Sequence, residues 1–143
     1  MKEKINLMIK FCRSKLWAPY IWGANGPNWY DCSGLIISAL KSVGWFPDNV
    51  DMRAQDIYHY LSNKNWIEKL EKGSIVFFGK SKTKITHVGI ALDHTMYISA
   101  AGGDKTVTTV EKAQKRGACV KITDIRKDLV ASLYPIEEEA KNG

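Results

Sequence analysis

A cysteine in a short polar segment is the first candidate for chemistry in this chain of 143 residues. Cys32 lies in the run Y-D-C-S-G at residues 30–34, immediately before apolar residues with helical spacing. Because a helix N-terminus stabilises an anion, we expect the pKa of the Cys32 thiol to fall. A thiolate is a nucleophile suited to acyl transfer. The alternative is that Asp31 or Ser33 caps the helix and Cys32 is a small buried residue, as free cysteines often are.

A nucleophilic cysteine needs a base, and the chain has only three histidines. His87 begins the apolar run 87–92, where a strand would let its side chain project from the sheet edge toward a packed helix. His94 falls at a predicted turn, and His59 falls beside two tyrosines on a predicted helix, so we expect both at the surface. His87 is therefore the candidate general base, although Cys32 is distant from it in sequence.

Helices in the first half of the chain and strands in the second half must position these side chains. Apolar residues with a helical period predict three helices, at about 5–16, 31–44 and 51–61. Apolar and β-branched runs between turn residues predict strands at 74–78, 86–92, 96–100, 106–110, 120–125 and 129–134. This order predicts an α+β fold, with N-terminal helices packed on a C-terminal antiparallel β-sheet, as one domain over residues 1–143.

Composition and charge limit the classes of function. The three cysteines are an odd number without a Cys-x-x-Cys pair, which excludes a fully paired disulfide framework and argues against zinc. No other spacing suits a metal, and we expect neither a metal nor a cofactor. We find no signal peptide and no membrane span, so we expect synthesis in the cytoplasm. The net charge of +6 indicates either an anionic partner or only a solvated surface that favours solubility. No nucleic-acid-binding signature accompanies it, so nucleic acid is not expected.

Three blocks of sequence point to a family. Residues 19–36 begin P-Y-I-W-G-A and end Y-D-C-S-G-L-I, residues 72–78 are K-G-S-I-V-F-F, and residues 86–92 are T-H-V-G-I-A-L. In this order the blocks resemble the NlpC/P60 family of cell-wall cysteine peptidases, whose blocks are P-Y-x-W-G-G with F-D-C-S-G-L-V, then P-G-D-L-V-F-F, then S-H-V-G-I-Y-I. The runs 52–55 and 101–106 further resemble stand-alone versions carried by phages and prophages.

The resemblance implies a papain-like fold and an activity. The usual reaction is hydrolysis of a peptide bond in the peptidoglycan stem, often between D-Glu and a diamino acid, through an acyl-enzyme. Cys32 would be the nucleophile and His87 the base. Tyr20 would lie beside the cysteine and hold the oxyanion or the substrate, while Asp31 and Ser33 would help bind the substrate's amino end.

The chain departs from the family pattern at three positions. Ser99 stands where the family usually has a polar residue, often His, that orients the base. A hydroxyl can accept the imidazole N–H but carries no charge, so Asp93 and Asp104 remain alternatives for the third catalytic residue. Ala24 replaces a glycine and Ser74 replaces an aspartate.

Other features bear on the partner and on rival functions. Three tryptophans surround the cysteine segment and either line a groove for a sugar or peptide or serve packing: Trp17, Trp22 and Trp29. The expected partner is bacterial peptidoglycan, reached after release from the cell or from within a virion, and the basic surface would favour an anionic wall. The alternatives are a non-catalytic virion- or tail-associated module on the same fold, or an amidase or acyltransferase with the same Cys–His pair.

Overall fold

The computed structural model describes residues 1–48 and 50–136. The helices are α1 (Lys2–Ser14), α2 (Cys32–Ser42), α3 (Ala54–Ser62) and α4 (Val110–Arg116). The strands are β1 (Ile67–Glu68), β2 (Ile75–Gly79), β3 (Ile85–Ala91), β4 (Met96–Ala101), β5 (Cys119–Asp124) and β6 (Leu129–Tyr134). No helix within the described residues is both long and apolar enough to cross a membrane.

The six strands form one sheet in the order β1-β6-β2-β3-β4-β5, and each neighbouring pair is antiparallel. Three helices precede the strands, which confirms the predicted α+β class. The predicted single domain over 1–143 extends past the described residues.

Alternation along the strands divides the sheet into two faces. Phe77, Val88 and Ile98 belong to the large core that α1, α2 and α3 cover with their apolar sides. Phe78 and Tyr97 belong to a smaller cluster on the opposite face, because successive side chains of a strand point to opposite sides. The three N-terminal helices therefore cover one face of the sheet.

The predicted strand at 106–110 is wrong. The Asp104 carboxylate accepts hydrogen bonds from the backbone N–H and the hydroxyl of Thr106, which forms a local turn. Thr109 then caps α4, since its hydroxyl accepts from the Lys112 N–H at 3.2 Å. These side chains offer the backbone local partners that compete with strand pairing, although Val, Thr and Thr favour a strand by composition.

The start of α3 also differs from the prediction. The sequence predicts a helix from residue 51, but α3 begins at Ala54 with Arg53 as the residue before it. The Asp56 carboxylate accepts from the Arg53 N–H at 3.4 Å, so an acidic residue inside the first turn supports the helix end. Asp51 lies instead on the wall of a cleft.

Candidate active site

Asp31 caps α2 and places Cys32 as the first helical residue. One oxygen of the Asp31 carboxylate accepts from the Gly34 N–H at 2.7 Å and the Ser33 hydroxyl at 3.2 Å. Its other oxygen accepts from the Gly23 N–H at 3.0 Å, which ties the preceding loop to the helix. The capping alternative is thus confirmed, but it leaves Cys32 half-buried at the helix N-terminus rather than in the core.

A glycine in the first turn of α2 lets the preceding loop lie directly on the helix. A Cβ at Gly34 would overlap the carbonyl oxygen of Ala24 and crowd the Asp31 carboxylate. The Asp31 N–H donates to that same Ala24 oxygen at 2.9 Å. The close approach holds the loop that precedes the cysteine against the helix that carries it.

The strand pair β3 and β4 brings His87 against Ser99. The His87 Nε2 atom lies 3.1 Å from the Ser99 hydroxyl, and Ser99 is fully buried. The imidazole packs beside the rings of Phe78 and Tyr97, at centroid distances of 5.7 and 6.1 Å. The ring thus contacts the aromatic side chains of the smaller cluster, while His87 also lines a cleft together with Cys32 at the start of α2.

The two aspartates considered as alternatives have other partners. Asp93 closes the β3–β4 turn by accepting from the Thr95 N–H at 2.7 Å and the Met96 N–H at 2.8 Å. Asp104 is held by Thr106 and forms an ion pair with Arg116 at 3.1 Å. Of the three candidates for the third residue, only Ser99 forms a hydrogen bond with His87 among the described side chains.

One cleft of about 960 Å³ brings the predicted residues together. Its walls include six of the seven residues selected from sequence: Tyr20, Trp22, Asp31, Cys32, Ser33 and His87. The seventh, Ser99, lies behind the imidazole and holds it from the buried side. Because Cys32 and His87 both line this cleft, the thiol and the imidazole open into the same space.

Tyr20 is fixed beside the cysteine by packing on both sides. Its backbone N–H donates to the Ala118 carbonyl at 3.0 Å, and its side chain is almost fully buried. A Cβ at Gly103 would overlap the tyrosine ring, so the loop after β4 lies directly against it. Burial, with smaller contributions from Cys32 and Asp31, raises the pKa of Tyr20, which remains a hydroxyl donor at neutral pH.

The expected fall in the pKa of Cys32 is wrong. Burial, with a further contribution from Asp31, raises the pKa of the Cys32 thiol to about 11, and the N–H groups at the helix start offset this only in part. Burial and the positive charge of Arg126 lower the pKa of His87 to about 4. At neutral pH the site therefore holds a neutral thiol and a neutral imidazole.

The tryptophans and the other cysteines fall into different environments. Trp22 lines the cleft, with the Arg53 guanidinium 5.7 Å from its ring. Trp17 and Trp29 are exposed and lie outside the cleft wall. Cys12 is fully buried in α1, as its position on the apolar face predicts, and Cys119 is half-buried in β5. Across residues 1–48 and 50–136, no group of three or more His, Cys, Asp or Glu side chains could hold a metal ion.

Sequence comparison decides the family. A sequence model of the NlpC/P60 family matches residues 17–126. The chain belongs to the NlpC/P60 family. A probable endopeptidase of Corynebacterium glutamicum is 35% identical over 93 residues, which are 65% of this chain and 41% of that protein. A probable endopeptidase p60 of Listeria grayi is 27% identical over 99 residues, 68% of this chain and 18% of that protein. The chain thus spans less than half the length of either relative.

Solved structures confirm the papain-like fold of this NlpC/P60 chain. The P60 domain of an antigen from M. avium subspecies paratuberculosis superposes with a TM-score of 0.67 at 22% identity, covering 96% of this chain and 97% of that one. The peptidoglycan hydrolase RipB from Mycobacterium tuberculosis gives a TM-score of 0.68 at 19% identity, covering 96% of this chain and 66% of that one.

Several residues of the NlpC/P60 cleft escaped the sequence analysis. Arg53 and Arg126 line it, and the sequence assigned neither of them a role. In the sequence Arg126 contributes to the net positive charge, and no motif selects it. Asp128, two residues after Arg126, was the available sign in the sequence that this arginine is held in a fixed position. An Arg and an Asp at this spacing can form an ion pair with two hydrogen bonds at a turn.

Proposed function

We propose that this NlpC/P60 chain is a cysteine endopeptidase of peptidoglycan stem peptides that cuts the bond between D-Glu and a diamino acid. The observation that carries the proposal is that Cys32, at the start of α2, and His87, held by Ser99, line one cleft. The names of the sequence relatives as probable endopeptidases, and of one structural neighbour as a peptidoglycan hydrolase, support it.

The first step begins from neutral partners. With the Nε2–H of His87 donating to the Ser99 hydroxyl, the ring lone pair is on Nδ1. As the Cys32 sulfur attacks the substrate carbonyl carbon, Nδ1 accepts the thiol proton, a C–S bond forms and the carbonyl oxygen becomes an oxyanion. The high pKa of the thiol and the low pKa of the imidazole favour this coupled transfer over an ion pair formed in advance.

Charge on the carbonyl oxygen develops near fixed donors. The Cys32 N–H at the helix start and the Tyr20 hydroxyl are the donors we assign to the oxyanion. When the tetrahedral intermediate collapses, the C–N bond breaks and the leaving amine takes the proton from His87. Water, deprotonated by His87, then attacks the thioester, and the carboxylate product and the Cys32 thiol are released.

The substrate's amino end is assigned to the acidic side of the cleft. The Asp31 carboxylate accepts three hydrogen bonds, from Gly23, Gly34 and Ser33, and a carboxylate has about four acceptor positions. The remaining position suits a substrate ammonium group beside the Ser33 hydroxyl. Trp22 adds an apolar wall to the same region of the cleft.

Digestion of purified peptidoglycan tests the proposal. Wild type should release stem fragments with a new amino group on the diamino acid, identified by mass spectrometry, while Cys32→Ala and His87→Ala should release none. Cys119→Ala is the matched control, since that half-buried thiol lies outside the cleft, and it should keep full activity. Release by either active-site variant would overturn the mechanism.

The products also separate the rival functions. Cleavage at the sugar–peptide amide would indicate an amidase, and a product carrying a transferred acyl group would indicate an acyltransferase. Wall binding without any product would indicate a non-catalytic module. A phage or prophage origin, and action after release or from a virion, remain predictions from the sequence.

A further inference from the structure

Arg126, between β5 and β6, presents its guanidinium to the cleft on the side of His87. Asp128 holds it in a fork, with Nε 2.9 Å from Oδ1 and Nη2 2.6 Å from Oδ2. The guanidinium carbon also lies 5.2 Å from the centroid of the Phe78 ring, which packs against the His87 imidazole. Two contacts thus fix this cation relative to the base.

The pair with Asp128 does not use all the donors of Arg126. A guanidinium has about five N–H groups, and the fork uses two of them. The side chain is 45% exposed, so the remaining edge can reach a ligand in the cleft. Partial burial lowers the pKa of Arg126, but Asp128 and, to a smaller extent, Tyr97 outweigh this and raise it, so the group stays charged.

The proposed reaction determines on which side of the cleft each part of the substrate lies. The acyl part of the substrate remains on Cys32, beside Tyr20 and Asp31, while the leaving amine departs with a proton from His87. The departing residue must therefore lie on the imidazole side. The other cleft cations have different neighbours, since Arg53 stacks over Trp22 and Lys105 lies in the loop after β4.

We propose that Arg126 binds a carboxylate on the departing residue of the substrate and so determines specificity. Resting on the proposed function, this names the substrate class as stem peptides whose departing diamino acid carries a free carboxylate rather than a carboxamide. A planar guanidinium already oriented by Asp128 loses little side-chain entropy on pairing with a second carboxylate. A carboxamide offers it one neutral oxygen and no charge.

A pair of stem peptides tests the inference. The two peptides are identical except that the diamino acid carries a carboxylate in one and a carboxamide in the other. Wild type should favour the carboxylate peptide by about 10- to 100-fold in kcat/KM, the range of a charge-assisted hydrogen bond. Arg126→Gln should abolish that preference by slowing the carboxylate peptide alone, and Arg126→Lys should keep part of it. Lys127→Gln removes the same charge from an exposed neighbour outside the cleft wall and should keep the whole preference.

Two results would overturn the role of Arg126. They are equal cleavage of both peptides by wild type, and an equal loss on both peptides in Arg126→Gln, which would mean that Arg126 only supports Phe78 and His87. Calorimetry with the inactive Cys32→Ala variant, with and without Arg126→Gln, measures the affinity for each of the two peptides without cleavage. If wild type cuts neither peptide while Cys32→Ala shows an Arg126-dependent preference, the endopeptidase proposal fails and the carboxylate site stands. If Cys32→Ala shows no Arg126-dependent binding preference between the two peptides, the carboxylate site fails.

Discussion

Replacing Ser99 by alanine tests whether the buried hydroxyl orients the base. Its Oγ lies 3.1 Å from His87 Nε2, and Ser99 is fully buried in β4. Ser99→Ala therefore leaves the Nε2–H facing a methyl group with no water to replace the lost acceptor. We expect the loss to be larger in the transition state than in the resting enzyme.

The magnitude follows from the charge on the imidazole. His87 is neutral at rest and becomes a cation when it accepts the thiol proton, so its bond to Ser99 changes from neutral to charge-assisted. Neutral hydrogen bonds contribute about 1 kcal/mol and bonds to charged groups about 1.5–3 kcal/mol. The difference of about 0.5–2 kcal/mol predicts a fall in kcat of about 2- to 30-fold, with KM nearly unchanged. Ser99→Cys should give an intermediate kcat, because sulfur is a weak acceptor.

Steady-state kinetics on a defined stem peptide, with denaturant unfolding, separates catalysis from stability. Ser132→Ala is the matched control, since Ser132 is a buried serine of β6 whose hydroxyl lies 3.3 Å from the Glu68 carboxylate. Both variants should lose about 1 kcal/mol of unfolding free energy, but only Ser99→Ala should lose kcat. A kcat for Ser99→Ala equal to that of wild type, with His87→Ala inactive, would refute the orienting role of Ser99.

Three further predictions concern the same cleft. The ultraviolet absorbance of the Cys32 thiolate, measured against Cys32→Ala, should be missing at pH 7 and appear only near the thiol pKa of about 11; a thiolate at pH 7 would show an ion pair instead. In the unfolded chain His87 binds a proton below its ordinary pKa of 6.5. In the folded protein the pKa of His87 is about 4, so the ring binds a proton only near that pH. The free energy of unfolding should thus fall by up to about 3 kcal/mol as the pH drops from 7 to 4, and His87→Gln should remove that part of the fall in denaturant titrations. Gly103→Ala should lower the free energy of unfolding by about 1–3 kcal/mol and also reduce kcat, since its Cβ must displace the Tyr20 ring; kinetics with unchanged kcat would contradict the placement of that tyrosine.

Sequence patterns predicted the structure correctly where the stabilising hydrogen bonds join residues close together in the chain. The cap of α2 by Asp31 was among the sequence alternatives, because a capping carboxylate reaches an N–H only three residues ahead. The β3–β4 hairpin was predicted at the correct turn for the same reason, since Asp93 bonds to the next two or three residues. Where local signals compete, the prediction failed, as at residues 106–110, where turn and cap hydrogen bonds prevailed over strand composition.

The sequence by itself determined the family resemblance, the α+β order of elements and the two residues expected to react, because each depends on residue type and short-range spacing. Only the tertiary structure decided that Ser99, and neither Asp93 nor Asp104, contacts His87, since that choice depends on how β3 pairs with β4. It also reversed the expected direction of the Cys32 pKa, because a helix terminus is visible in sequence but burial is not. The position of Arg126 beside the base likewise follows from strand order in the sheet, which no local pattern encodes.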